Sequence, residues 1–415
     1  MTAPLRRYGF EDAERCVQCA LCLTHCPTYR LTHDESESPR GRLAMLAAWD
    51  RDEAPLDPSM RRALDHCLGC LACEAVCPAE VPYGKLIDRY HEVTASPTRA
   101  PSVRLLVWLT HQHGKAAWLH RLLAGLERMR MLPLLKRLAP GRLRTAVRLL
   151  PDPYPRAVVP HGRLVPKGAA GDGAQRVSLL AGCVSSLWMA DTYVAARELL
   201  LVLGFTVDLP DHALCCGALA RHAGDSRTAQ ALRAELLRRL PVSQPILVLD
   251  SGCLAETRAA CGADGSGGTP VYTLTTFLEA HWPPAFEPAL RQPERIALHV
   301  PCTQRPEIHD AQAVGRLLGR IQNLTLQPIP IGHGCCGAAG SYFLREPTMS
   351  DAFGSALIAS LGASLPERIV TTNIGCRLQW QSELRRSRLG IPVEHPVETL
   401  LRACPRAGPR EGTGS

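Results

Sequence analysis

Two cysteine runs constrain this chain more than any other feature. Cys16, Cys19, Cys22 and Cys26, followed by Pro27, form a C-x2-C-x2-C-x3-C-P pattern, and Cys67, Cys70, Cys73 and Cys77, followed by Pro78, repeat it. Thiolates two residues apart on a tight loop can reach different irons of a cubane, whereas a tetrahedral zinc rarely needs a third cysteine so close in one loop. In two-cluster ferredoxins the fourth cysteine of each run crosses to the other cluster, and the proline turns the chain away. The spacing therefore predicts two neighbouring [4Fe-4S] clusters. One is expected on Cys16, Cys19, Cys22 and Cys77, the other on Cys67, Cys70, Cys73 and Cys26.

The remaining composition agrees with a metal-binding role. Eighteen cysteines in 415 residues are too sparse for a small disulfide scaffold, so they are expected to be reduced ligands. The first residues carry no apolar signal segment, and no window approaches 18 uninterrupted apolar residues. A soluble, cytoplasmic protein is expected. The net charge of +8 is concentrated between residues 100 and 150, where ten basic residues face one acid, Glu127. That Leu-rich basic stretch reads as an amphipathic helix with a break near Pro133. It suits a solvated face, a dock for a partner subunit, or a peripheral contact with anionic lipid on the inner face of the cytoplasmic membrane. No nucleic-acid partner is expected.

The last cysteines reveal an internal duplication. Cys183, Cys215, Cys216 and Cys253 recur as Cys302, Cys335, Cys336 and Cys376, at offsets of 119, 120, 120 and 123 residues. Each follows a short β-branched or Leu-rich run, and helical stretches ending near Gly204 and Gly362 lie between. Strand, cysteine, helix in succession reads as βαβ units, hence a parallel sheet with the cysteines gathered beyond the carboxyl ends of its strands. The fold class expected is α+β multidomain. It has a helical two-cluster ferredoxin-like domain (1–96), a basic helical linker (97–173), two α/β repeats with parallel sheets (174–290 and 291–405), and a disordered tail (406–415).

In each repeat a Cys-Cys-Gly run could turn both thiols toward one centre if Gly217 or Gly337 allows the backbone to fold back. Zinc, a third iron-sulfur cluster and a redox-active dithiol are all compatible with four thiolates per repeat. Around these sets, His212, His299 and His333 are candidate donors toward the thiolates, although ordinary loop histidines fit equally well. Arg40 and Arg42 in the segment Ser38-Pro-Arg-Gly-Arg could screen cluster charge or simply face solvent. Cys261 and Cys404 have no counterparts and read as free thiols. No glycine-rich nucleotide loop follows a strand, and no nucleophile elbow is present. No catalytic residue is therefore assigned, and the chain reads as an electron carrier.

Together, the two ferredoxin-type runs, the SPRGR segment and the two CCG repeats resemble the heterodisulfide-reductase-related iron-sulfur proteins of the CCG-domain family, among them the iron-sulfur subunits of bacterial glycolate oxidases. The resemblance spans about residues 10–402. It implies that the eight cysteines of the first domain are cluster ligands and that Cys183, Cys215, Cys216, Cys253, Cys302, Cys335, Cys336 and Cys376 match the CCG-domain ligands. It also implies FAD-binding glycolate oxidase subunits as partners and a quinone-type acceptor. Lactate, 2-hydroxyglutarate or anaerobic glycerol-3-phosphate dehydrogenases would use a similar subunit, and a non-catalytic redox sensor is the reading from another class. The fuller family pattern ends each repeat in C-x2-C, but Glu256 and Gln379 occupy the second positions here. A five-thiolate cluster, and with it disulfide-reduction chemistry, is therefore in doubt.

Overall fold

In this computed structural model, residues 1–6, 95–112, 132–133, 136–137, 139–149, 152, 156–158, 160, 167–174, 241–242, 263–267, 285, 305–307, 330–334 and 405–415 lie outside the described residues. Much of the basic linker, the expected break near Pro133, His333 and the expected tail fall among them. Within the linker, a helix spans His113–Arg128.

The first domain is built from short helices whose starts are written in the sequence. Helices α1 (Pro27–Thr32), α2 (Pro39–Asp50) and α3 (Pro58–Asp65) each open on proline, whose fixed φ suits the first helical turn. Ser38 caps α2 by accepting from Gly41 N–H, and Asp57 caps α3 by accepting from Met60 N–H. Gly41 is required by proximity, since a Cβ there would sit 2.1 Å from the carbonyl oxygen of Glu35. Helix α4 (Tyr83–Thr94) completes the domain. Phe10, Trp49 and Tyr90 form an aromatic core with Leu46 and Leu64. The buried carboxylate of Asp50 accepts from the N–H groups of Tyr8, Gly9 and Phe10 and so pins the amino-terminal segment.

The duplicated region forms two sheets of the same topology. Strands β2 (Arg176–Leu180), β3 (Thr206–Leu209), β4 (Ile246–Val248) and β5 (Val271–Thr273) pair in parallel in the order β3-β2-β4-β5, with β1 (Gly162–Leu164) added antiparallel at the β3 edge. Strands β6 (Ala289–Leu298), β7 (Gln322–Pro328), β8 (Arg368–Val370) and β9 (Val393–Glu394) pair in parallel in the order β7-β6-β8-β9. Inner strands such as β2 and β4 are buried almost throughout and correspondingly apolar.

The repeats embrace each other reciprocally. The helix after β2 (Ala190–Val202) packs on the helix after β9 (Pro396–Ala403), and the helix after β5 (Leu274–His281) packs on the helix after β6 (Ile308–Leu318). One hydrophobic core therefore runs through both sheets, from Val177 and Leu179 to Ile296, Leu298 and Val370. Each of the three cysteine-bearing loops of a repeat leaves the carboxyl end of one of three adjacent strands, so the topology itself brings them together.

Candidate iron-sulfur centres

Both cysteine loops of the first domain bend in the same way. Gln18 (φ 57°) and Ala20 (φ 69°) match Gly69 (φ 61°) and Leu71 (φ 55°), so each loop enters the left-handed region immediately before and after its second cysteine. A side chain in that region costs roughly 1–2 kcal/mol, and three of the four positions carry one. Strain repeated in this way marks a loop held for its geometry. Its effect is to aim the first three sulfurs of each run at a common hollow, while the fourth crosses to the other. The first hollow, about 440 Å³ and partly open to solvent, is lined by Cys16, Cys19, Cys22 and Cys77. A second, of about 310 Å³, is lined by Cys26, Cys67 and Cys70. Cys73, Pro39 and Tyr83 line both, so the hollows are neighbours.

The donor set fits iron-sulfur clusters. Burial pushes the Cys70 thiol up to about 12, with Cys302 adding to the rise, and burial likewise raises Cys73 and Cys22. Buried thiols grouped this closely cannot all ionise unless a positive centre compensates them, and iron supplies one. Backbone N–H groups are already turned toward the sulfurs. Gly69 donates to Cys67 Sγ at 3.4 Å, and the Arg40 and Ala72 N–H groups near Cys22 and Cys70 oppose the rise that burial causes.

The two candidate arginines part company here. Arg40 is half-buried at the rim of the first hollow, its guanidinium held by both carboxylate oxygens of Glu35 and donating to Gln18 O. Arg42 is buried against the second hollow, so for this residue the surface alternative is overturned.

In the first repeat the Cys183 thiol lies beside Cys215 and the Cys253 thiol beside Cys216. In the second, Cys302, Cys335, Cys336 and Cys376 form a chain of sulfur contacts, with Cys336 to Cys376 at 3.1 Å. Each set thus gathers at the strand ends. The glycine after each vicinal pair has the expected conformation, Gly217 at φ 89° and Gly337 at φ 87°. Both glycines also press on a following helix, where a Cβ would lie 2.9 Å from Ala229 O or 2.8 Å from Ser350 O. One helical turn past the last cysteine, Glu256 pairs with Arg221 Nε at 2.7 Å, and Gln379 donates to Ser350 O at 3.1 Å. Both positions are buried and supply no fifth thiolate.

The sets meet at a pseudo-symmetry axis that sequence reasoning overlooked. Asp250 and Asn373 occupy the same place, three residues before the last cysteine, and Asn373 Nδ2 donates to Asp250 Oδ1 at 3.0 Å. Burial raises Asp250 to about 6, and its charge reaches both Cys253 and Cys376. The duplication alone would have paired these two positions. Thr28, Glu37 and Tyr83 around the second hollow were also missed, and nothing local in the sequence marks them.

The first domain rests on both repeats, but its second hollow faces only one of these contacts. Leu68 packs into the core that holds Cys335, Cys336 and Cys376, with Cys302 at its margin. Arg345 donates to Asp65 O, and His66 bridges Glu37 and Glu346. The first repeat instead meets α4, through Asp88 with Arg221 and His222 and through Gly224 against His91 O.

Among the histidines, His299 is a core residue, its Nδ1 on Thr371 Oγ1 and its ring edge-on to Trp380. His212 is half-buried beside the first vicinal pair. Cys404 is buried in the shared core, and Cys261 ends the helix Leu254–Cys261.

A model of a 4Fe-4S dicluster domain matches residues 12–81, and a cysteine-rich domain model matches 177–257 and again 296–381. A probable glycolate oxidase iron-sulfur subunit of Bacillus subtilis (strain 168) is 27% identical over 435 residues, covering 94% of this chain and 93% of that protein. The glycolate oxidase iron-sulfur subunit of Escherichia coli (strain K12) is 27% identical over 410 residues, with the same coverage. Lactate utilization protein A of Geobacillus sp. (strain WCH70) is 24% identical over 240 residues, 54% of this chain and 98% of that protein. The chain therefore carries a 4Fe-4S dicluster domain followed by two cysteine-rich domains, and is homologous to glycolate oxidase iron-sulfur subunits along 94% of its length.

Proposed function

We propose that the chain is the electron-transfer subunit of a glycolate dehydrogenase complex, receiving electrons from FAD-binding partner subunits and passing them toward a quinone-type acceptor. The single observation behind this reading is the pair of adjoining sulfur-lined hollows, the outer one bearing the exposed Cys19 and the inner one against the second repeat. When bound, iron-sulfur clusters supply one-electron redox capacity without bond-making. Cys16, Cys19, Cys22 and Cys77 hold the outer cluster, and Cys67, Cys70, Cys73 and Cys26 the inner one.

In the same reading Cys302, Cys335, Cys336 and Cys376 hold a third centre next in line, since Leu68 and Cys70 join them to the inner cluster. Cys183, Cys215, Cys216 and Cys253 hold its counterpart off that line. We favour iron-sulfur over zinc at these sites because zinc has no redox chemistry and would end the path. The long basic segment is a dock for a partner or a lipid surface. Among the described residues no helix is long and apolar enough to cross a membrane.

Similarity to lactate utilization proteins keeps lactate as the second substrate reading. Anaerobic purification with iron and acid-labile sulfide assays should find about eight irons from the first domain alone, about twelve with the third centre and about sixteen with its counterpart as well. Co-expression with FAD-binding glycolate oxidase subunits should give a stable complex whose clusters are reduced on adding glycolate. Reduction by lactate and not glycolate would replace the substrate, and fewer than about four irons after reconstitution would reject the relay.

A further inference from the structure

The two hollows differ in what surrounds their sulfurs. At the outer one, Cys19 is exposed, Val17 and Leu21 beside it are 67% and 55% exposed, and the nearby Arg40 guanidinium is spent on Glu35. At the inner one, Arg42 is only 1% exposed, and every arm of its guanidinium is fixed. Nε donates to Ala63 O at 2.7 Å, Nη2 to Glu37 Oε2 at 2.6 Å, and Nη1 to Thr28 Oγ1 at 3.0 Å and Cys26 Sγ at 3.9 Å. Across the hollow, the buried Tyr83 hydroxyl donates to Cys67 Sγ at 3.8 Å. Glu37 tempers the charge of Arg42, but its other oxygen is taken by His66 Nδ1 at 2.5 Å.

Reduction adds a negative charge to a cluster, and burial alone opposes that charge, so the inner centre would by default be the harder to reduce. A fixed cation and a hydroxyl donor directed at its thiolates act in the opposite sense, and they act more strongly where water is excluded. We propose that Arg42 raises the potential of the inner centre above that of the outer one, so that electrons entering at the exposed Cys19 face run inward toward the second repeat. In that step one electron leaves the outer centre, which is oxidised, and reaches the inner centre, which is reduced, while no bond or proton moves. The electron comes from the partner flavoprotein of the proposed function, on which this inference rests.

The test is a potentiometric titration of the full-length protein, purified anaerobically and followed by low-temperature paramagnetic resonance, with Cys19→Ser identifying the outer signal. The inner midpoint should be the higher. Arg42→Gln should lower it alone, cutting its reduced-to-oxidised ratio at fixed potential by about tenfold or more, which for one electron is about 59 mV. Arg42→Lys should retain most of the wild-type value, and Glu37→Gln should move the inner midpoint upward. If Arg42→Gln fails to keep its iron, the retained midpoint of Arg42→Lys and the upward shift of Glu37→Gln carry the test.

An inner midpoint below the outer one in wild type would overturn the proposal, as would an unmoved inner midpoint in an iron-replete Arg42→Gln protein. So would a downward shift in Glu37→Gln. A wild-type protein with fewer than about four irons would instead strike the proposed function itself.

Discussion

Replacing Gly337 by alanine tests whether the glycine after the vicinal cysteines is demanded by backbone conformation, by proximity, or by both. The residue sits at φ 87°, where a side chain costs roughly 1–2 kcal/mol. Its new Cβ would also lie 2.8 Å from Ser350 O, 3.0 Å from Phe353 Cβ and 3.2 Å from Ser350 Cα. Two of these are backbone atoms of the helix Pro347–Ala359, so the helix must shift, and overpacking of this kind costs about 1–3 kcal/mol. The total is about 2–5 kcal/mol. Gly362 supplies the control, because it has φ 67° but nothing within 4 Å of the place a Cβ would take, so Gly362→Ala should lose only about 1–2 kcal/mol. Urea unfolding of both variants, followed through the transition of the second repeat, gives the comparison. Gly337→Ala should have the lower midpoint with the same m-value, and should also loosen the Gly337 N–H contact to Cys335 Sγ, now 3.4 Å. Equal midpoints would refute the close approach as the reason for the glycine.

Three further outcomes follow from the geometry. Cys26→Ser should remove the inner cluster and Cys77→Ser the outer one, although each cysteine lies in the other cluster's sequence run; loss of the opposite signal in paramagnetic resonance would disprove the crossing. His91 is pulled down to about 3, first by burial and then by the charge of Arg345. Between about pH 6.5 and 3 the unfolded chain therefore binds a proton that the folded chain refuses, and stability falls as pH drops through that window, by up to about 1.4 kcal/mol per unit. Thermal midpoints measured from pH 7 to 5 should show this slope and lose part of it in His91→Gln. Finally, Glu398→Ala should cost about 2–3 kcal/mol in denaturant unfolding, because Thr192 and Arg377 lose the acceptor that ties the last helix to the first repeat.

Much of the site was legible because thiol spacing and repetition are local signals. The two C-x2-C-x2-C-x3-C-P runs, and the recurrence of Cys183, Cys215, Cys216 and Cys253 after short apolar strands, announce both the dicluster domain and the duplicated α/β units. The histidines were less legible. His299 stands three residues from Cys302 in sequence, yet its ring is turned to Thr371 and Trp380. Proximity along the chain does not fix side-chain direction at a strand end, where successive residues face opposite ways.

The sequence alone determined how many sulfur-rich units the chain carries and in what order, because iron-sulfur loops and βαβ repeats are specified by residues a few positions apart. Only the tertiary structure decided that Arg42 is buried against the second hollow while Arg40, two positions earlier on the same helix, lies half-buried at the rim of the first, since residues two apart point to opposite sides of an α-helix. It also decided that the inner hollow adjoins the second repeat, and that Asp250 and Asn373 join across the duplication axis. Such relations arise where surfaces built from residues far apart in the chain pack together, and their burial and electrostatics come into being only at that contact.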